Sequence, residues 1–173
     1  LTLIKTKAET PADLTIAAGN ETVTADIKLV DQDGNKVTAQ GGKFFTLTMQ
    51  LEPNRTVTKF YHHGTALKKS TAASVKKAND QYYYNTKTGV VTFTTDDFSP
   101  FTAEYAFGGG NGTKAYPYLI ATGEQALAME DSKGYFKFVD DVVVTDEIYL
   151  SGKTVVVDLN GHTVRLEYAD GVK

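Results

Sequence analysis

The adjacent pair His62-His63 is the first place in the chain where metal chemistry suggests itself. Imidazoles hold an ion when their nitrogens converge on one point. The pair closes a run, Phe60-Tyr61-His62-His63, that reads as strand, and neighbouring side chains of a strand point to opposite faces. The two rings are therefore expected to diverge, while His162 falls in a turn of a separate segment. Asp31, Asp33 and Asn35 imitate the opening of a calcium loop. Such a loop needs glycine at its sixth position and a bidentate glutamate at its twelfth. Here Gly34 is fourth and Gly42 is twelfth, so the Asp-Gly pair reads as a hairpin turn.

The acidic pairs Asp96-Asp97, Asp140-Asp141 and Asp146-Glu147 raise the question of glycoside hydrolysis. That chemistry needs two carboxyls facing each other across a cleft, about 5 to 10 Å apart. Asp96-Asp97 lies beside a Phe-Ser-Pro corner and Asp140-Asp141 reads as a solvated bend, so nothing pairs them. The run Gly108-Gly109-Gly110-Asn111-Gly112 lacks the Gly-Lys-Ser/Thr ending of a phosphate loop. Ser99 has no histidine at a nucleophile-elbow spacing. Asn20, Asn54 and Asn111 each open a glycosylation sequon, of weight only in a eukaryotic secretory host. No catalytic residue, metal or cofactor is expected from these motifs.

Tyrosines are the remaining candidates. Tyr82 and Tyr84 share one face of a strand, opposite Tyr83, and Tyr61 lies on another strand of the same region. An exposed tyrosine platform would stack on a sugar ring. Against this, an alternating strand buries one of its faces, and tryptophan, the usual stacking residue, is absent.

The elements that position these residues are strands. The chain has 173 residues, 41% hydrophobic and 23% charged, the proportions of a globular protein with room for one large or two small domains. A net charge of −3 gives no electrostatic basis for binding nucleic acid or an anionic membrane, and no apolar run is long enough for membrane insertion. Cysteine is absent, which removes disulfides and thiolate chemistry, and 10 Tyr with 9 Phe among many Thr and Val favour strands. Val23, Ala25, Ile27 and Leu29 alternate as one apolar face, as do Phe45, Leu47, Met49 and Leu51. A hairpin is expected from Tyr82 to Phe93, turning between Asn85 and Gly89, with Val91 and Phe93 inward. Phe101, Ala103, Tyr105 and Phe107 form a further apolar face, whereas residues 66 to 78 read as a short helix or a long connection.

The expected organisation is a domain at 1–107, a glycine-rich linker at 108–113 and a second segment at 114–173. In that segment Thr122-Gly123-Glu124-Gln125 reads as a capping box opening a short helix. Strands are expected over 135–139, 142–150, 154–159 and 163–168, with turns at Ser151-Gly152-Lys153 and Asn160-Gly161. The start at Leu1 reads as processed, any targeting signal having been upstream.

Two stretches resemble known families. Val90 to Ala106, with its Phe-Ser-Pro-Phe corner, and Phe60-Tyr61-His62-His63-Gly64 resemble the closing strands and the Tyr-His-x-Gly turn of β-sandwich modules in large secreted bacterial surface proteins. Residues 114–168 are similar to the entry of a right-handed, pectate-lyase-like parallel β-helix. There a Pro-Tyr-x-Ile strand and a capping helix cover the solenoid end, and the first coil carries Asp158-Leu159-Asn160-Gly161-His162-Thr163. The resemblance implies a mostly β chain: an N-terminal antiparallel, Ig-like β-sandwich, the linker, then the cap and first coil of a parallel β-helix. Since solenoids need about three or more repeats for stability, further coils are expected beyond this chain. The rival is a small self-contained sheet.

The function so implied is a non-catalytic, extracellular spacer on a bacterial cell surface that presents a downstream β-helix for adhesion or glycan recognition. Its partners would be a glycan or host surface ligand, with self-association through the exposed solenoid end. Two alternatives stand beside it. One is a carbohydrate-binding module using Tyr61, Tyr82 and Tyr84; the other is the leading fragment of a β-helix polysaccharide-degrading enzyme whose catalytic residues lie on later coils.

Overall fold

A computed structural model describes residues 1–168, so residues 169–173 of the predicted second segment lie outside the described residues. With 40% of residues in strand and 7% in helix, the protein is mostly β, as expected. The chain divides into two compact units. The first comprises Leu1–Thr15, Thr22–Pro53 and Val57–Glu104, and the second Ile16–Glu21, Asn54–Thr56 and the chain from Tyr105 onward. No helix among the described residues is long and apolar enough to cross a membrane.

The first unit contains β1 (Thr2–Ala8), β2 (Thr22–Val30), β3 (Phe45–Gln50), β4 (Val57–His62), β5 (Thr65–Ala66), β6 (Lys68–Lys69), β7 (Gln81–Asn85), β8 (Val90–Thr95) and all but the last residue of β9 (Pro100–Tyr105). One sheet has the order β1-β2-β9-β4-β5, the other β3-β8-β7-β6. The rings of the two sheets meet: Phe93 on β8 lies 4.6 Å from Phe101 on β9 and 5.1 Å from Phe60 on β4. All three are fully buried, and they form the centre of the core.

The hairpin of β7 and β8 forms as predicted, with Tyr84 opposite Val91 and Asn85 opposite Val90. Asn85 Oδ1 accepts from the amides of Lys87 and Thr88, and Asn85 O from Gly89 N. The loop at Asp31 is likewise a turn: the Asp31 carboxylate accepts from Asp33 N, Asn35 N and Asn35 Nδ2. Those bonds hold its pKa below the ordinary value. Two alternations read differently in the structure. Val23 is exposed while Thr24 is buried, because the Thr24 hydroxyl bonds those of Thr10 and Thr102. From Phe101 to Phe107 every residue is buried, so this segment has no wet face.

The second unit contains β10 (Tyr118–Ile120), α1 (Gly123–Leu127), β11 (Gly134–Phe138), β12 (Val142–Val144), β13 (Val155–Asp158) and β14 (Val164–Leu166). Here every ladder is parallel. β10 pairs with β11, and β11 with β13, aligning Gly134 with Val155 and Phe136 with Val157. β12 pairs with β14, aligning Val142 with Val164. The capping residue is as predicted, since Thr122 Oγ1 accepts from Gln125 N. The strand expected over 142–150 stops at Val144, and Ile148 and Leu150 instead pack on the core as irregular chain.

The glycine segment expected as a linker is hydrogen-bonded into this unit. Gly108 N donates to Leu119 O, Leu119 N to Gly109 O, and Tyr135 N to Gly112 O. The division between units falls between Glu104 and Tyr105, ahead of the glycines, and Phe107 belongs to the second core.

Arg55 gathers the separate segments of the second unit. Its side chain is 2% exposed. It donates to Glu21 Oε2 at 3.0 Å and to Phe107 O at 3.1 Å, and its guanidinium lies 4.1 Å over the Tyr105 ring. Since the Glu21 side chain is 46% exposed, the ion pair itself contributes under about 1 kcal/mol. The buried carbonyl and the stacked ring weigh more. Arg55→Ala is expected to lower stability by about 3 kcal/mol and Glu21→Gln by less than about 1, measured by urea denaturation. Equal effects would show that charge pairing dominates instead. Gly123 provides a steric check. A Cβ there would stand 2.0 Å from Val143 O, so Gly123→Ala should cost about 1–3 kcal/mol in the same assay.

Candidate functional site

The three tyrosines proposed for stacking do not make a surface platform. Tyr82 is 1% exposed, with its ring 5.7 Å from Phe60 and its hydroxyl donating to Thr58 O. Tyr61 is buried, and its hydroxyl donates to Glu104 Oε2 at 2.8 Å. Tyr84 is half-buried beside Val91, its hydroxyl donating to Glu52 O. A sugar stacks on an open ring face, and the burial of Tyr61 and Tyr82 withdraws two of the three. Period-two alternation correctly put Tyr82 and Tyr84 on one face; that face is the inner one.

The acidic pairs also find local work. Asp141 Oδ1 accepts from Thr163 N, and Glu147 accepts from the hydroxyls of Tyr149 and Tyr168. Neither faces another carboxylate across a cleft.

Sequence reasoning missed a convergence at the end of β4. His62 is the last residue of that strand, and His63 follows in a left-handed conformation, φ 49°, ahead of Gly64 at φ 73°. The chain therefore leaves the pleat at His63, and the rule of opposite faces no longer applies. The two imidazole rings lie 4.4 Å apart, and the expectation that they diverge is corrected. The readable signal was the glycine immediately after the pair, a mark of a turn and not of a continuing strand.

Asp97, in the corner between β8 and β9, meets both rings. His62 Nε2 is 3.2 Å from Asp97 Oδ1, and His63 Nε2 is 3.1 Å from Asp97 Oδ2. Ligand atoms of the three residues all lie within 4.8 Å of one another. The side chains grade outward, from His62 at 8% exposed through Asp97 at 35% to His63 at 56%.

His62 is fixed from behind. Its ring stacks on Phe101 at 4.4 Å and 8°, and its Nδ1 lies 3.5 Å from Thr95 Oγ1. That hydroxyl donates its proton to Asp97 O, so it accepts from His62. Burial, then the neighbouring His63, push the His62 pKa down to about 4, against an upward pull from Asp97. Nε2 is buried and makes no hydrogen bond, with Asp97 Oδ1 3.2 Å away.

The pair opens on a pocket of about 320 Å³ shared with Asp80 and Asp96. Burial raises the Asp80 pKa, and Asp96 and Asp97 add to the shift. The pocket is thus lined by carboxylates that repel one another. Comparison with known protein families, curated proteins and solved structures finds no match to this chain.

The buried phenols yield an alkaline prediction. Burial pushes Tyr82 up to about 12, and burial together with Glu104 raises Tyr61 above the ordinary tyrosine value. An unfolded tyrosine ionises near 10, so above that pH the unfolded state binds fewer protons than the folded one. The stability these phenols contribute is complete below pH 10 and is lost as pH rises toward 12. Phenolate absorbance should show Tyr61 and Tyr82 ionising last, together with loss of the near-ultraviolet circular dichroism. Titration of all tyrosines near pH 10 with the fold intact would contradict their burial.

Proposed function

We propose that this chain is a non-catalytic structural module of a bacterial cell-surface protein, one that holds and presents a parallel β-helix used in adhesion or glycan recognition. In this reading the first unit is an Ig-like β-sandwich acting as spacer, and the second is the cap and opening coil of the solenoid.

One observation carries the reading: beyond the first ladder, where Tyr118 pairs with Phe136 18 positions on, the two further parallel ladders repeat at nearly constant spacing. Gly134 pairs with Val155, 21 positions on, and Val142 pairs with Val164, 22 positions on. A solenoid has this signature, each coil laying its strands on those of the coil before. The Asp158 to Thr163 turn indexes the coils. Asn160 Nδ2 donates to Phe138 O and Thr163 N to Asp141 Oδ1, one coil back in each case. The last strands leave Val156 46%, Val157 40% and Leu166 41% exposed, apolar surface that a following coil would cover. The extracellular placement rests on the resemblance of the two sequence stretches to surface proteins and is proposed with it.

A longer chain supplies the test. Hydrogen exchange is compared between the 173-residue protein and one bearing two more coils, native or consensus. Amides at 155–158 and 164–166 should gain protection in the longer protein; unchanged exchange would remove the solenoid reading. Glycan-array binding addresses the first unit. The 173-residue protein is expected to give no saturable signal, and a sugar signal lost on Tyr84→Ala would favour a carbohydrate-binding module instead.

A further inference from the structure

We propose that His62, His63 and Asp97 form a three-ligand site for a divalent transition-metal ion of the zinc type, joining the turn after β4 to the corner between β8 and β9. The geometry is nearly assembled. Zinc holds imidazole nitrogen at about 2.0–2.1 Å and carboxylate oxygen at about 2.0–2.2 Å, so tetrahedral ligand atoms stand about 3.3 Å apart. The histidine-to-carboxylate separations are 3.2 Å from His62 to Oδ1 and 3.1 Å from His63 to Oδ2 of Asp97, so each imidazole stands at that spacing from one oxygen of the same carboxylate. All the ligand atoms lie within 4.8 Å of one another, so about 1.5 Å of closure at most completes the set. His63 and Asp97 are exposed enough to swing, while His62 is held by its stack on Phe101.

The second observation is the state of His62 Nε2. It is buried and makes no hydrogen bond, although a carboxylate oxygen of Asp97 lies 3.2 Å away. A metal ion bound by both groups would use the nitrogen that the protein leaves without a hydrogen bond. The Thr95 contact is the kind of outer-shell bond that orients a ligating imidazole.

The donor set selects the class of ion. Two imidazoles and one carboxylate suit zinc, cobalt or nickel, whereas calcium asks for six to eight oxygens. The pocket beside the exposed His63 gives an entry path and leaves the fourth position to water. Asp80 and Asp96 line the same pocket and attract a cation to it.

The experiment uses the untagged 173-residue protein, treated with chelator and titrated with zinc in a calorimeter and with cobalt in a spectrophotometer. One ion per chain is expected, with the intense visible bands of low-coordinate cobalt and a change in the His62 Nε2 nitrogen resonance. His63→Ala and Asp97→Asn should each weaken binding by more than about tenfold, at least the loss typical of an outer-shell change. Because His63 is exposed, its replacement should leave circular dichroism unchanged, which separates loss of the site from loss of the fold. Thr95→Val should weaken binding while retaining one ion per chain. Absence of saturable binding, binding indifferent to both His63→Ala and Asp97→Asn, or ready displacement of zinc by calcium would each overturn the proposal.

Discussion

The second unit depends on a single buried cation. Glu21, Asn54, Arg55 and Thr56 are polar residues from stretches far apart in sequence, and hydrophobic burial alone gives them no reason to gather. Arg55 supplies it, reaching Glu21 in one direction and Phe107 O in another while lying on Tyr105. A planar guanidinium with several donors does this; a lysine ammonium is a point charge and lacks the flat face that stacks on a ring. The position of Phe107 then matters to everything after it. Its ring lies 4.7 Å from Tyr118 and 5.5 Å from Phe136, the residues that open β10 and sit in the middle of β11. The first parallel ladder is therefore built on a ring whose carbonyl Arg55 holds.

Beyond that start, the unit extends by contact between successive strands. Valines and phenylalanines fill the interior but specify register poorly, because one apolar residue substitutes for another at little cost. Polar turn residues do the indexing. Asn160, in a left-handed conformation at φ 50°, reaches the carbonyl of Phe138, and Asp141 receives the amide of Thr163. Each bond links positions 22 apart, so a slip of one residue would break both while leaving much of the apolar packing in place. The pair Asp140-Asp141, which looks like idle surface charge in the sequence, contains one of these registering groups.

How much of this was legible depends on whether the information was local. Alternation located the strands around Ile27, Met49 and Val91, and the Asp-Gly, Asn-x-x-x-Gly and Thr-x-x-Gln patterns located turns and the helix cap, because each is settled within a few residues. What alternation does not report is how many faces a strand buries. Thr24 is inside because Thr102 and Thr10 meet its hydroxyl, and those partners are 78 and 14 positions away. For the tyrosines, alternation implies that one strand face is buried but not which: Tyr82 lies against Phe60, which no local pattern reveals. At His63 the fault was the assumption that a strand continues to the end of its apolar run, when Gly64 had already marked the turn.

The buried polar groups of the first unit lead to the last step. Tyr61 is satisfied by Glu104, Tyr82 by Thr58, and Thr94 by Ala78. Among the described residues of this unit, Asn79 Oδ1 and His62 Nε2 are the buried side-chain atoms without a hydrogen bond, and an unmade bond is expensive in a dry interior. His62 Nε2 stands apart from these neighbours. Its ring is stacked on Phe101, and the nitrogen lies 3.2 Å from a carboxylate that a second imidazole also meets. The cost of desolvating that nitrogen is borne at the edge of an acidic pocket, where an ion can arrive from solvent. A purely structural histidine would more simply have turned the lone pair outward to water. Its inward aim is best explained by something that completes the trio.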